Sequence, residues 1–196
     1  MEFQPNIQEF TDKYENQIVA PNKKPRNQFI LCPIGLVGAG KTTVVKPLSD
    51  KLGLVRISGD EIRELLKEKG HRYDKVQDIA TIVAEKYLDE GYSVCSDNDC
   101  VTEKTQTILN SLKEKYDLKL VWIHINPPEE FIINKLSNLK PDWLGTAEQM
   151  IENYYQRKPL HEHLNFPFVY TFDTSRDNLS NQIEEAAEIV KEVTRN

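Results

Sequence analysis

From Phe29 onward, apolar runs of strand length alternate with stretches in which apolar positions recur every three or four residues. Phe29-Ile30-Leu31-Cys32-Pro33-Ile34 is the kind of run that forms a strand buried on both faces. Leu54–Ser58, Ser93–Asp97, Lys119–Ile125 and Phe168–Asp173 read as further strands. Helices are expected between them, at about Thr42–Leu52, Asp60–Lys69, Asp74–Asp89 and Glu103–Lys115. Pro127-Pro128 predicts another helix start, because proline suits a helix's first turn. Ile183, Ala186, Ala187, Val190 and Val193 mark a last amphipathic helix. Alternation of this kind predicts an α/β fold, a doubly wound, mostly parallel five-stranded sheet with helices on both faces. Ligands of such folds sit beyond the carboxyl ends of the strands, so chemistry is sought in the loops there.

Ahead of the first strand, Phe3, Ile7, Phe10, Tyr14 and Ile18 share one helical face. A polar linker with prolines, Ala20–Asn27, follows. The organisation expected is a helical extension and linker over residues 1–27 and the main α/β domain over 28–196, with the extension packing back on the domain.

Composition narrows the class. With 39% apolar and 29% charged residues, the chain is globular rather than disordered. A net charge of −6 argues against bulk attraction to nucleic acid or anionic membranes. No apolar run approaches the roughly 20 residues of a membrane span. Met1–Ile18 is too polar for the apolar centre of a signal peptide, so a cytoplasmic protein is expected. Cys32, Cys95 and Cys100 lack metal-ligand spacing and read as reduced thiols, the first two in strand cores.

The strongest chemical signal is Gly35-Leu36-Val37-Gly38-Ala39-Gly40-Lys41-Thr42, which matches Gly-x-x-x-x-Gly-Lys-[Ser/Thr] at every fixed position. It stands between a strand and a helix, as a phosphate cradle requires. Glycines let successive backbone N–H groups turn inward around phosphate oxygens, and the helix adds its positive dipole end. The nucleotide-binding positions are Gly35, Val37, Gly38, Ala39, Gly40, Lys41, Thr42 and Thr43. Lys41 is expected at the β- and γ-phosphates of ATP, and the Thr42 hydroxyl on Mg²⁺.

The loop alone names no activity. After the second strand comes Ser58-Gly59-Asp60-Glu61-Ile62-Arg63, which places Asp60 and Arg63 one helical turn apart. A hydroxyl acceptor needs a carboxylate to orient it and take its proton, and an arginine beside it can hold the acceptor. The alternative is that Asp60 and Glu61 cap the helix and Arg63 is solvated. Asp97, at the end of the third strand, is placed to hold Mg²⁺ through a water or to bond Thr42. No Asp-Glu pair follows an apolar run, as an ATPase motor would need, and no Asn/Thr-Lys-x-Asp guanine reader is present.

Taken together, Gly35–Thr42, Asp60-x-x-Arg63 and Ser96-Asp97 resemble the P-loop kinases grouped around polynucleotide 5′-hydroxyl kinase, zeta toxins and chloramphenicol phosphotransferase. The likeness runs from about Phe29 to Ser175. It implies Asp60 as general base, Arg63 as acceptor contact, and parallel strands in the order 2-3-1-4-5. It also implies an arginine-bearing lid, which falls here at about 135–160, with its tip at Pro141–Gly145. The start of that stretch, Asn134–Lys140, holds no arginine; Arg157 is the candidate to fill the place, with Lys135 a second. Few arginines lie on the acceptor side, Arg63 and Arg72 among them, which suits a hydroxyl better than the phosphate of a nucleoside monophosphate.

Three smaller features remain. His161 and His163 have a spacing that binds metals, but no third ligand is evident. His124 alternates with Trp122 on the fourth strand and reads as core or as a supporting residue. Asp173-Thr174-Ser175 is either an adenine contact or a turn cap. The reading is an ATP- and Mg²⁺-dependent kinase acting on a hydroxyl of a small-molecule or nucleotide-like acceptor. Alternatives are an ATP-binding regulatory module with little turnover and a nucleoside monophosphate kinase.

Overall fold

The computed structural model describes residues 6–70, 73–141 and 145–195. Five parallel strands form one sheet: β1 (Phe29–Ile34), β2 (Leu54–Ser58), β3 (Ser93–Asp97), β4 (Lys119–Ile125) and β5 (Phe168–Phe172), ordered β2-β3-β1-β4-β5. The helices are α1 (Ile7–Glu15), α2 (Lys41–Leu52), α3 (Gly59–Glu68), α4 (Val76–Asp89), α5 (Glu103–Tyr116), α6 (Glu129–Ser137), α7 (Ala147–Arg157) and α8 (Leu179–Thr194). The strand order and parallel sense are those expected.

Alternation along β1 divides the core. Ile30 and Cys32 join Val55, Ile62, Val83 and Leu109 on one face of the sheet. Phe29 and Leu31 join Val44, Leu48, Ile132 and Ala186 on the other. Every residue of β1 is buried, as expected of a central parallel strand.

Pro33 shapes the sheet locally. Pairing of β1 with β3 ends at Leu31–Cys95, whereas pairing with β4 continues to Ile34–His124. Proline has no N–H to give the ladder, and the Pro33 carbonyl instead accepts from the backbone N–H of Cys100 at 3.2 Å. The segment after β3 thereby lies alongside β1, where the phosphate-loop sequence begins.

Helix α1 packs back on the domain. Phe10 and Tyr14 are buried in the first core cluster. The Tyr14 hydroxyl accepts from the Ser58 backbone N–H at 2.7 Å and donates to Glu61 Oε2 at 3.4 Å, so α1 is tied to the start of α3.

Several boundaries moved. The helix predicted from Asp74 begins at Val76, after a 3-10 turn at Tyr73–Lys75. Pro128 is the N-cap of α6 rather than its first residue. The stretch expected to form a lid, 135–160, contains α7, opened by a capping box between Thr146 and Gln149. Cys32, Cys95 and Cys100 are buried free thiols. Among the described residues no helix is long and apolar enough to cross a membrane.

Candidate active site

The glycine-rich loop joins β1 to α2. Gly38 and Gly40 take φ of +80° and +90°, backbone that side chains rarely adopt. A Cβ at Gly35 would stand 2.7 Å from the Ile125 carbonyl oxygen, so the loop's first residue is held against β4 by lack of a side chain. Gly40 is the N-cap of α2 and supplies no side-chain cap, which leaves the helix's first N–H groups for an anion. Thr174 Oγ1 donates to the Ala39 carbonyl at 2.7 Å and braces the loop from behind. Asp173 accepts from Ser175 N at 3.0 Å and Oγ at 2.6 Å, so Asp173-Thr174-Ser175 is a capped turn.

Lys41 is turned onto its own loop. Its Nζ donates to the carbonyls of Gly35 at 2.6 Å and Leu36 at 3.1 Å. Burial pulls its ammonium below the ordinary lysine value, while the fields of Asp99, Asp60 and Asp97 oppose that shift.

The carboxylates come from the ends of β2 and β3. Ser58 caps α3 by accepting from the Glu61 N–H, and Gly59 lies so close to Asn98 that a Cβ would overlap its Oδ1. This contact locks the two strand ends together. Asp60 sits in the first turn of α3 and accepts from Arg63 Nη1 at 2.5 Å. Both side chains are well exposed, so the pair orients groups more than it stabilises the fold.

Asp97 is buried and accepts from Arg56 Nη1 at 2.5 Å, while Arg56 Nη2 binds Glu61. Burial raises the Asp97 carboxyl above its ordinary value, and the Arg56 guanidinium offsets part of that rise. Sequence reasoning missed Arg56; the signal that could have found it is a charged residue inside the apolar run Leu54-Val55-Arg56-Ile57.

Sequence reasoning also missed Asp99. Its Oδ2 accepts from Arg157 Nη2 at 2.9 Å and lies 3.0 Å from His161 Nε2. Its Oδ1 is buried without a hydrogen-bond partner among the described residues. Burial alone would raise this carboxyl, but His161, Lys41 and Arg157 outweigh it and hold the group below its ordinary value. His161 thus serves Asp99, and among the described residues no cluster of three or more His, Cys, Asp or Glu is arranged to hold a metal. His124 stacks on Phe168 with ring centres 4.7 Å apart.

A cavity of about 620 Å³ gathers these residues. Lys41 and Thr42 line it from α2, Asp60 and Arg63 from α3, Asp97 and Asp99 from the end of β3, and Arg157 from α7. Of the loop ahead of α2 only Val37 lines it, and Gly35, Gly38, Ala39 and Gly40 do not; Thr43 is exposed on α2 and is likewise not among the lining residues. Lys135 is exposed on α6 and also lies outside the lining, and Lys158 pairs with Glu129. Arg72 and residues 142–144, with Trp143 at the expected lid tip, lie outside the described residues.

The family model for the AAA domain matches residues 30–138. No curated protein matches. Among solved structures, APS kinase of Mycobacterium tuberculosis in complex with AMPPNP and APS superposes with a TM-score of 0.56 at 15% identity, covering 85% of this chain and 99% of that one. A gluconokinase from Sinorhizobium meliloti gives 0.56 at 13% identity, covering 89% and 97%. Shikimate kinase from Acinetobacter baumannii in complex with shikimate gives 0.50 at 16% identity, covering 88% and 97%. At such identities the likeness is one of fold.

Proposed function

The chain belongs to the AAA domain family, and from that premise we propose that it is an ATP- and Mg²⁺-dependent phosphotransferase acting on a hydroxyl acceptor. The observation that carries the reading is the single cavity in which Lys41 and Thr42 face Asp60 and Arg63. Donor and acceptor machinery share one space, as direct transfer needs. The names of the three solved structures given above, each a kinase, support it. The Asp60-x-x-Arg63 pair further favours the group around polynucleotide 5′-hydroxyl kinase, zeta toxins and chloramphenicol phosphotransferase. The catalytic domain is then 28–196, with α1 from residues 1–27 bracing α3.

In this reading the loop from Gly35 to Gly40, with the N–H groups of Lys41, Thr42 and Thr43, holds the phosphates of ATP. Lys41 leaves the loop carbonyls for the β- and γ-phosphate oxygens. Asp60 accepts the proton of the acceptor hydroxyl, the oxygen bonds to the γ-phosphorus, and the bond to the β-phosphate oxygen breaks to release ADP. Arg63 orients the acceptor, and Arg157 faces the transferring group from α7. Mg²⁺ fits Thr42 and Asp97, one hydroxyl and one buried carboxylate. That is the sparse protein share typical of magnesium beside phosphates. When bound, it supplies charge neutralisation on the phosphate oxygens. The two arginines that line the cavity among the described residues each face a carboxylate, which favours a hydroxyl over a phosphate acceptor.

The test is Asp60→Asn. Phosphate transfer from ATP to acceptor, followed by ³¹P NMR, should fall by about 10²–10⁴, while affinity for a non-hydrolysable ATP analogue stays within about twofold. Transfer that survives the substitution would remove Asp60 from its role. ATP binding with no transfer to any of a broad acceptor panel would turn the reading to a regulatory nucleotide-binding module.

A further inference from the structure

The cavity does not end at Asp60. It continues between α4 and α5, where Val76, Ala80 and Ala84 face Ile108, Leu109 and Leu112, over a floor that includes Ile57 and Val94. Ala80 and Ala84 stand one turn apart on α4, so small side chains open the space opposite the larger ones of α5. Midway, the lining is polar but uncharged: Gln77, Thr81, Thr102 and Thr105. Gln77 Nε2 donates to Thr105 Oγ1 at 3.2 Å and joins the two helices there. Among the described residues, charge is confined to the end at Lys41, where Arg63 and Arg157 are each engaged by a carboxylate, and to exposed Asp74 and Lys104, which are opposite in sign.

We propose that the acceptor is an uncharged alcohol carrying an apolar ring or chain, with its hydroxyl at Asp60 and its apolar body between α4 and α5. The proposal rests on the phosphotransferase reading for the identity of the reacting end. An anionic tail would lose its hydration against Ala80, Ala84 and Ile108, with no arginine among the described residues there to repay it. A purely polar sugar would gain nothing from that wall. An apolar body gains from leaving water in proportion to the area covered. The volume lies within the range of pockets that enclose a small organic ligand, and polar side chains at the waist are how such pockets fix orientation. Interiors are otherwise close-packed, so an apolar-walled space continuous with the carboxylate of Asp60 is shaped for an occupant.

The experiment uses the full chain, ¹³C-labelled at alanine and isoleucine methyl groups, with Mg²⁺ and a non-hydrolysable ATP analogue present. 2-Phenylethanol and cyclohexylmethanol are the apolar probes; glucose and AMP are the controls. The apolar alcohols are expected to shift the methyl signals of Ala80 and Ile108 saturably, at least tenfold more tightly than either control. Ala80→Phe and Ile108→Asp should each weaken this binding at least tenfold, with an unchanged unfolding midpoint as proof of an intact fold. If one variant unfolds, the other decides. Tighter binding of AMP or glucose at these methyls, or no response to the alcohols, overturns the proposal. Transfer from ATP is scored separately: alcohols that bind but are never phosphorylated leave the occupant's class standing and sink the phosphotransferase reading. Phosphorylation of anionic acceptors alone does the reverse.

Discussion

Arg157 Nη2 donates to Asp99 Oδ2 at 2.9 Å and so fastens the end of α7 to the segment after β3. His161 meets the same oxygen, which makes Asp99 the anchor for the whole turn that follows α7. Replacing Asp99 by Asn should cost about 2 kcal/mol, the worth of a hydrogen bond to a charged group. The unfolding midpoint should then fall by about 4–8 °C. The pH dependence has a definite sign. The folded chain holds this carboxyl below its ordinary value, so its stabilisation is complete above the ordinary carboxylate range. It is lost as pH falls through the lowered folded value. The gap between wild type and variant should be constant near neutrality and narrow on acidification; a gap that widens would refute this account.

Arg56 is the counter-charge of buried Asp97. In Arg56→Gln the Asp97 carboxylate loses its guanidinium, and a loss of about 3 kcal/mol is expected. Burial already raises this carboxyl, and without Arg56 it rises further. A carboxyl raised in the folded state makes the protein less stable as pH climbs past it. The variant should therefore withstand more urea at pH 5 than at pH 8, and its half-maximal Mg²⁺ for ATP turnover should increase several-fold. Equal urea midpoints at the two pH values would argue against the pairing.

Tyr14→Phe removes the acceptor of the buried Ser58 N–H. An unmade hydrogen bond there should cost about 1–2 kcal/mol. Because Ser58 is the N-cap of α3 and Asp60 follows in its first turn, turnover should drop a few-fold as well. Amide exchange at Ser58 is the direct check and should accelerate at least tenfold.

Gly40→Ala tests the loop. A Cβ there would come within 3.2 Å of Thr174 and force a side chain to φ +90°. Left-handed backbone costs roughly 1–2 kcal/mol in a residue other than glycine. Affinity for an ATP analogue by calorimetry should fall at least tenfold, with the far-UV spectrum unchanged.

Local signals were legible in the chain. Strand β1 announced itself as an uninterrupted apolar run, and the loop from Gly35 to Thr42 by spacing alone. The strand order came with the family resemblance. Long-range pairings were not legible. Nothing in composition or period links Asp99 to Arg157, 58 residues on, or Tyr14 to Ser58, 44 residues on. Periodicity says which face of a helix is buried, but not which polar atom meets which. The apolar far end of the cavity was hidden for a related reason. Ala80 and Ile108 read as ordinary helix-face residues until their helices are set side by side.

Helix α1 has a consequence for how this protein is made. It leaves the ribosome before α3 and α4, the helices it packs against, have been synthesised. Until then its apolar face is open to water and to other nascent chains, and the cap on α3 cannot close. Pairing it with distant partners is a late and comparatively slow step. A chaperone that shields a short amphipathic helix during synthesis should therefore raise the soluble yield of this chain.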